Sequence, residues 1–436
     1  MAGQAWRAGC DPKVKPFALI SRLLHGAYVE VFRRYPALIW IAGVAVFGQI
    51  AVASINSFAL SFYVLDTLKQ PGRVLGYLAS SFLLTETVLK LPFGHWSDLY
   101  GRRRFVVIGV LAVVVTPSVV ILVPARTFLL APVLIWLVLL PARLIGGAGS
   151  AAVWPPLYAA VPDSVPPRDR GTGMAVVNSA YIAGLALGPA LAGLTTNVLI
   201  RPLRHEAPFA LAAVCAAVAA VIGLMLPAQA MRREQKPQPG ESERMPGAGV
   251  IAVIVAITMA EMFATSTLAP YLAPFVHLAT GMSLRESGLF LLLIGVPAGV
   301  LGVPIGRLVD RLPKRSVRQI SLWVTAVAMT AVCLSYSAIA LALWGIAVVI
   351  GFLFGLPAWM ALIANLAPRG KSGRMMGIFA TAEGVGSIAG PIAGGYLWDI
   401  NIRDPFWAAA AMLAIGAIIA TIFMGSRWEN TSPVEE

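Results

Sequence analysis

Five side chains in this sequence carry charge where charge is costly: Glu86, Lys90, Arg143, Glu261 and Glu383. Each lies inside a long apolar run, and placing one in the hydrocarbon core of a bilayer costs roughly 2.5–3.5 kcal/mol for the strongly charged types. Glu86 and Lys90 are spaced i, i+4, so on a helix they share a face within pairing distance. They form either an internal salt bridge or a titrating pair whose partners change with conformation. Arg143 keeps its proton and can hold an acidic solute or tune a nearby carboxylate. Glu261 is followed by Met262, Phe263, Thr265, Ser266 and Thr267, with Tyr271 further on. A carboxyl among apolar and aromatic groups can exchange protons near neutral pH and suits an amphipathic cation. Glu261 is therefore the first candidate for a proton-coupling residue and Glu383 its competitor. For both, the alternative is a structural acid bonded to a neighbouring helix. Gln49 and Asn56 share one helix face, and with Met262, Phe263 and Tyr271 they could line a cavity. Bonding between helices is the other fate of such polar residues.

The elements that must hold these residues are membrane helices. Of 436 residues, 58% are hydrophobic and 12% charged, whereas a soluble domain carries roughly 25% charged residues. Mean hydropathy is +0.80. A membrane helix needs about 20 mostly apolar residues. Twelve segments reach that length: 38–63, 74–96, 105–124, 130–160, 172–198, 207–227, 249–276, 286–309, 317–336, 339–365, 375–399 and 406–425. They are helices 1 to 12 below. The polar, Pro- and Gly-rich stretch 228–248 reads as a flexible linker. It divides the chain into six-helix bundles over 38–227 and 249–425, flanked by a basic segment 1–37 and a tail 426–436.

The net charge of +13 follows this topology. Lys and Arg crowd the N-terminal segment and alternate connections, including Arg102, Arg103 and Arg104, then Arg311, Lys314 and Arg315, and are sparse in the others. That is the positive-inside bias, which puts both termini in the cytoplasm of a multi-pass protein of the inner membrane. Nucleic-acid binding is not the meaning of the charge. The N-terminal segment lacks the apolar core of a cleavable signal and could lie on an anionic leaflet. Three scattered cysteines and four histidines without ligand spacing point to no metal and no cofactor.

One phrase occurs twice: Gly-x-x-x-Gly-Pro-x-x-x-Gly, at 184–193 in helix 5 and at 386–395 in helix 11. Each copy comes after a loop of the form Gly-x-x-x-Asp trailed by basic residues, at 94–104 and 306–315. Gly184, Gly188, Gly193, Gly386, Gly390 and Gly394 let helices approach at backbone distance, and Pro189 and Pro391 permit a bend. Duplicated halves of membrane helices are the architecture of a transporter, with its substrate site between the halves at mid-membrane.

The chain thus resembles the major facilitator superfamily over residues 38–425. The resemblance rests on Gly94, Asp98, Gly101, Arg102, Arg103 and Arg104 in the first loop. It rests also on Gly306, Asp310 and Arg311 in the second, where Pro313 replaces a usual Gly, on Arg143, Gly146, Gly147 and Gly149 in helix 4, and on the helix 5 phrase, similar to that of the family's drug/proton antiporters. It implies an all-α fold of twelve transmembrane helices in two pseudo-symmetric bundles that rock around a central cavity. It implies that the Asp98 cluster latches the cytoplasmic side shut in the outward-facing state, that helices 5 and 11 form the seam between halves, and that Arg143 serves proton coupling. The function expected is proton-coupled efflux of small hydrophobic or amphipathic solutes by a monomer in the lipid bilayer. A facilitator or importer of a metabolite, organic anion or lipid-like molecule on the same fold is the alternative. An enzyme is not expected, because neither a catalytic constellation nor a domain to bear one is visible.

Overall fold

In lipid every backbone amide must be bonded within the chain, which long helices achieve. The computed structural model describes residues 31–166, 169–196, 206–226, 246–366 and 372–425, without the side chain of Asp310 and a few others. Residues 1–30 of the N-terminal segment, most of the 228–248 linker and the tail lie outside the described residues. The long helices are α1 (Ala37–Thr67), α2 (Gly72–Tyr100), α3 (Arg102–Leu122), α4 (Ile135–Ser164), α5 (Arg170–Thr195) and α6 (Ala207–Leu224). They continue with α7 (Ala248–Leu268), α8 (Leu284–Arg311), α9 (Lys314–Leu334), α10 (Ala338–Leu366), α11 (Ser372–Ile400) and α12 (Asp404–Phe423). By length and composition 11 of these can cross a membrane. The twelfth, α11, is 29 residues long and carries the second glycine–proline phrase.

Local sequence sets the breaks. Gly101 adopts φ +97 between α2 and α3, a conformation that favours glycine. Ser283 accepts a bond from the Glu286 amide at 3.3 Å while Glu286 accepts from the Ser283 amide at 2.7 Å, which starts α8. Two wider π-helical turns, Ile55–Ala59 and Tyr63–Thr67, interrupt α1. The first carries Asn56, and such turns recur where function bends a helix.

Small residues set the packing within each half. A methyl carbon added at Gly147 of α4 would lie 2.1 Å from the Phe82 carbonyl oxygen of α2, and one at Gly149 would lie 2.5 Å from the Gly109 carbonyl oxygen of α3. Gly147→Ala is expected to lower stability by about 1–3 kcal/mol through overpacking. A thermal melt of the detergent-solubilised protein reads this, and an unchanged midpoint would refute the close contact.

Both glycine phrases pack alike. Methyls at Gly184 and Gly188 of α5 would strike α1 at Gln49 and Ala53, and at Gly386 and Gly390 of α11 they would strike α7 at the Met259 carbonyl and Ser266. The last glycine of each phrase reaches across to the other half. A Cβ at Gly193 would lie 3.0 Å from the Leu284 carbonyl oxygen of α8, and at Gly395 it would lie 2.8 Å from the Gly72 carbonyl oxygen of α2. The seams are therefore α5 with α8 and α2 with α11. Helices 5 and 11 do belong to the seam, but each meets a different helix across it.

Candidate functional site

The halves touch at one end. Ser61 donates to the Pro270 carbonyl at 2.5 Å, Ser80 to the Ile388 carbonyl at 2.7 Å, and the Tyr77 and Tyr396 hydroxyls meet at 2.7 Å. These contacts sit at the end away from the Asp98 loop. The α2–α11 contact continues inward to Gly384, where a methyl would meet Thr87. Toward the Asp98 end the contacts lapse: nothing lies within 4 Å of an added methyl at Gly299 or Gly306, and Gly94 meets only Pro155 of its own half.

Where the seam opens lies a group of ionisable side chains. Lys90 pairs with Glu86 at 3.3 Å, and the Lys90 side chain remains 48% exposed. Glu383 of α11 is within Coulombic range of Lys90, Glu86 and Glu261, yet no hydrogen bond or ion pair joins it to another described residue. Tyr181 of α5 is within Coulombic range of Glu86, Glu383 and Tyr158. Its ring meets Trp154 edge-on with centroids 4.9 Å apart, and Trp154 lies 6.0 Å from Tyr158. These three aromatics were missed in sequence. Trp154 and Tyr158 are one helical turn apart in α4 and so share a face, the one signal that could have marked them.

Arg143 and Asn56 bind each other. Arg143 donates to Asn56 Oδ1 at 2.5 Å and to the Leu78 carbonyl at 3.2 Å, and its guanidinium lies 4.6 Å from the Phe82 ring centroid. Asn56, half-buried, thereby ties α1 to α4. Gln49 is buried, with its Cβ against Gly184. Tyr271 is sealed in the far end of the seam, where its hydroxyl lies 3.0 Å from the Gly72 carbonyl oxygen and 3.2 Å from that of Pro391. Met262 and Phe263 are half-buried; the Met262 Cβ lies against Gly386, and the Phe263 backbone lies against Gly386 and Gly390.

Glu261 is not the solitary carboxylate expected from sequence. Both its oxygens are bound by Arg318 of α9, Nη1 to Oε1 at 3.1 Å and Nη2 to Oε2, with side-chain exposures of 3% and 0%. The Arg318 guanidinium lies 4.8 Å from the Trp359 ring centroid, and the Trp359 indole donates to Thr258 at 3.1 Å. Arg318 lies beside the basic loop at the start of helix 9 as read from sequence, and one turn into α9 its side chain points inward.

At the Asp98 end, Arg102 donates to Asp98 at 2.9 and 3.1 Å and reaches Asp163 and the Ala159 carbonyl at the end of α4. The cluster closes on its own half. Arg103, Arg104 and Arg311 form no ion pair among the described residues. The side chain of Asp310 lies outside them.

Helices in two bundles, with charged and aromatic groups at an opening seam, define a multi-pass membrane transporter. The model of the Major Facilitator Superfamily matches residues 39–257 and 254–435. The chain belongs to that family. It is similar to multidrug resistance protein 2 of Bacillus subtilis, 24% identical over 79% of this chain and 85% of that protein. It is similar also to quinolone resistance protein NorA of Staphylococcus aureus, 23% identical over 83% of this chain and 90% of that protein. Among solved structures it matches the inward-open xylose transporter XylE of E. coli with TM-score 0.72 at 16% identity, over 89% of this chain and 96% of that one. That match shows the fold.

Proposed function

We propose that this transporter exports small hydrophobic or amphipathic solutes in exchange for protons, by alternating access between the 38–227 and 249–425 bundles. The observation that carries this is Glu383, a carboxyl with no hydrogen-bond or ion-pair partner among the described residues, at the opening seam opposite the Glu86–Lys90 pair. The other membrane acids in view are neutralised in place: Glu261 by Arg318 and Glu86 by Lys90. A carboxyl that is reachable and free to change charge is what proton exchange requires. Tyr181, Tyr158 and Trp154 supply an aromatic wall beside it, suited to flat apolar solutes and to cations. The names of the relatives, multidrug and quinolone resistance proteins, support efflux.

In this reading the Asp98 loop and both termini face the cytoplasm, and one chain suffices because it carries both halves. An organic anion is less well served than sequence implies. Arg143 is already bound to Asn56 and Leu78, which leaves Lys90 as the reachable cation of the two. The test is a proteoliposome with an acidic lumen and an external fluorescent lipophilic cation. Uptake that collapses when the pH gradient is dissipated is expected. Equilibration indifferent to the gradient would replace the exporter with a facilitator.

A further inference from the structure

The closed end of the seam contains a second carboxylate latch, and the geometry points to Asp399 as its centre. Helix α2 begins after Pro71, which offers no side-chain cap for the first amides. A helix start leaves such amides unbonded and partially positive. The cap comes instead from the other half of the molecule. Asp399, near the end of α11, accepts from the Gly72 amide at 2.5 Å and from the Arg73 amide at 3.4 Å. The Arg73 side chain is 3.9 Å away and 54% exposed, so the ion pair itself contributes little. Around the cap the contact is tight. A methyl added at Gly72 would lie 2.6 Å from Trp398 Cδ1, and Trp398 stacks with centroid 5.3 Å from Tyr271, which bonds the Gly72 carbonyl.

Sequence and topology give this contact its meaning. Gly395-Tyr-Leu-Trp-Asp399 repeats the Gly-x-x-x-Asp pattern of 94–98 and 306–310. Helices α2 and α11 run antiparallel along the seam, so at the closed end the last turn of α11 meets the first turn of α2. Asp98 closes α2, and Asp399 closes α11. We infer that Asp399 holds the present state, with the end distant from the Asp98 loop shut. Asp399 is a positioning residue, and its cap must break for that end to open. This rests on the alternating-access reading, but not on the identity of the solute or on proton coupling.

Pulsed spin-label distances test it, in full-length protein with Cys10, Cys215 and Cys333 replaced. One label pair, at Leu122 and Ile339, spans the closed end. A second, at Met174 and Leu312, spans the Asp98 end. Asp399→Ala is expected to lengthen the first distance and shorten the second, shifting the ratio of the two states by about 3- to 30-fold, the range for loss of one capping side chain. Asp399→Asn keeps an acceptor oxygen and should shift it less. Unchanged distances in Asp399→Ala, even with a lowered melting temperature, would make Asp399 merely structural and overturn the latch. A wild-type protein with one distance at each end under every condition would overturn alternating access and the latch together.

Discussion

Arg318→Met is expected to destabilise the protein by about 3–5 kcal/mol, the cost of leaving a buried charge without its partner. Glu261 would lose both guanidinium contacts in a place from which solvent is excluded. The loss spreads beyond one bond, because Arg318 ties three helices. It reaches from α9 to Glu261 of α7 and lies against Trp359 of α10, whose indole is itself fixed to Thr258 of α7. Arg318→Lys should not rescue it, since an ammonium cannot span both carboxylate oxygens or stack on the indole. The double variant Arg318→Met with Glu261→Gln removes both charges and should recover most of the melting temperature. Its transport separates two roles for Glu261. If pH-gradient-driven uptake persists in the double variant, the acid is a fixed structural partner. If uptake is lost while the fold is restored, Glu261 titrates. A single Arg318→Met protein that melts with the wild type would remove the bidentate pair from this account.

The contrast between Glu261 and Arg318 marks the limit of what sequence can state. Residue type and apolar context locate the membrane acids, because their insertion cost is a local property. Pairing depends on how a helix is rotated about its axis, which one charged turn next to a basic loop does not reveal. Arg318 follows Lys314 and Arg315 and so blends with them in composition. The glycine phrases were legible as close-packing surfaces, since only a missing side chain permits carbonyl contacts such as Gly390 to Phe263. Which neighbour they would meet was not. Asn56 and Arg143 were each visible as polar residues in apolar spans, but the π-helical turn at Ile55–Ala59 that carries Asn56 has no signal in composition. Asp399 was hidden for the opposite reason: a carboxylate at a helix end beside a connection looks like ordinary surface until the facing helix start is known to lack a cap.

Glu383→Gln should abolish proton-driven transport while sparing solute binding. The substitution keeps the shape of the side chain and fixes it neutral, so a cycle that needs this carboxyl to gain and lose a proton stops. Three features single it out. It sits on α11, one of the two helices that meet at the seam, directly before Gly384, which faces Thr87 of α2. Its charge acts on Lys90 and Glu86 across that seam, so protonation there changes the attraction between the halves. It also lacks a hydrogen-bond partner among the described residues, so proton uptake breaks no existing contact. When Glu383 is ionised, Lys90 can be shared between two acids on opposite halves. Once Glu383 is neutral, Lys90 returns to Glu86 alone and the seam loosens. Gradient-driven accumulation in proteoliposomes should fall at least about tenfold, corresponding to roughly 1.4 kcal/mol or more of lost coupling. Solute exchange at equal pH, and the thermal shift on binding the lipophilic cation, should stay within a small factor of wild type. Lys90→Met should give a milder defect, because it removes the shared cation and leaves the titrating group. Full gradient-driven accumulation by Glu383→Gln would exclude this carboxyl as the coupling site and return the assignment to the Glu261–Arg318 pair.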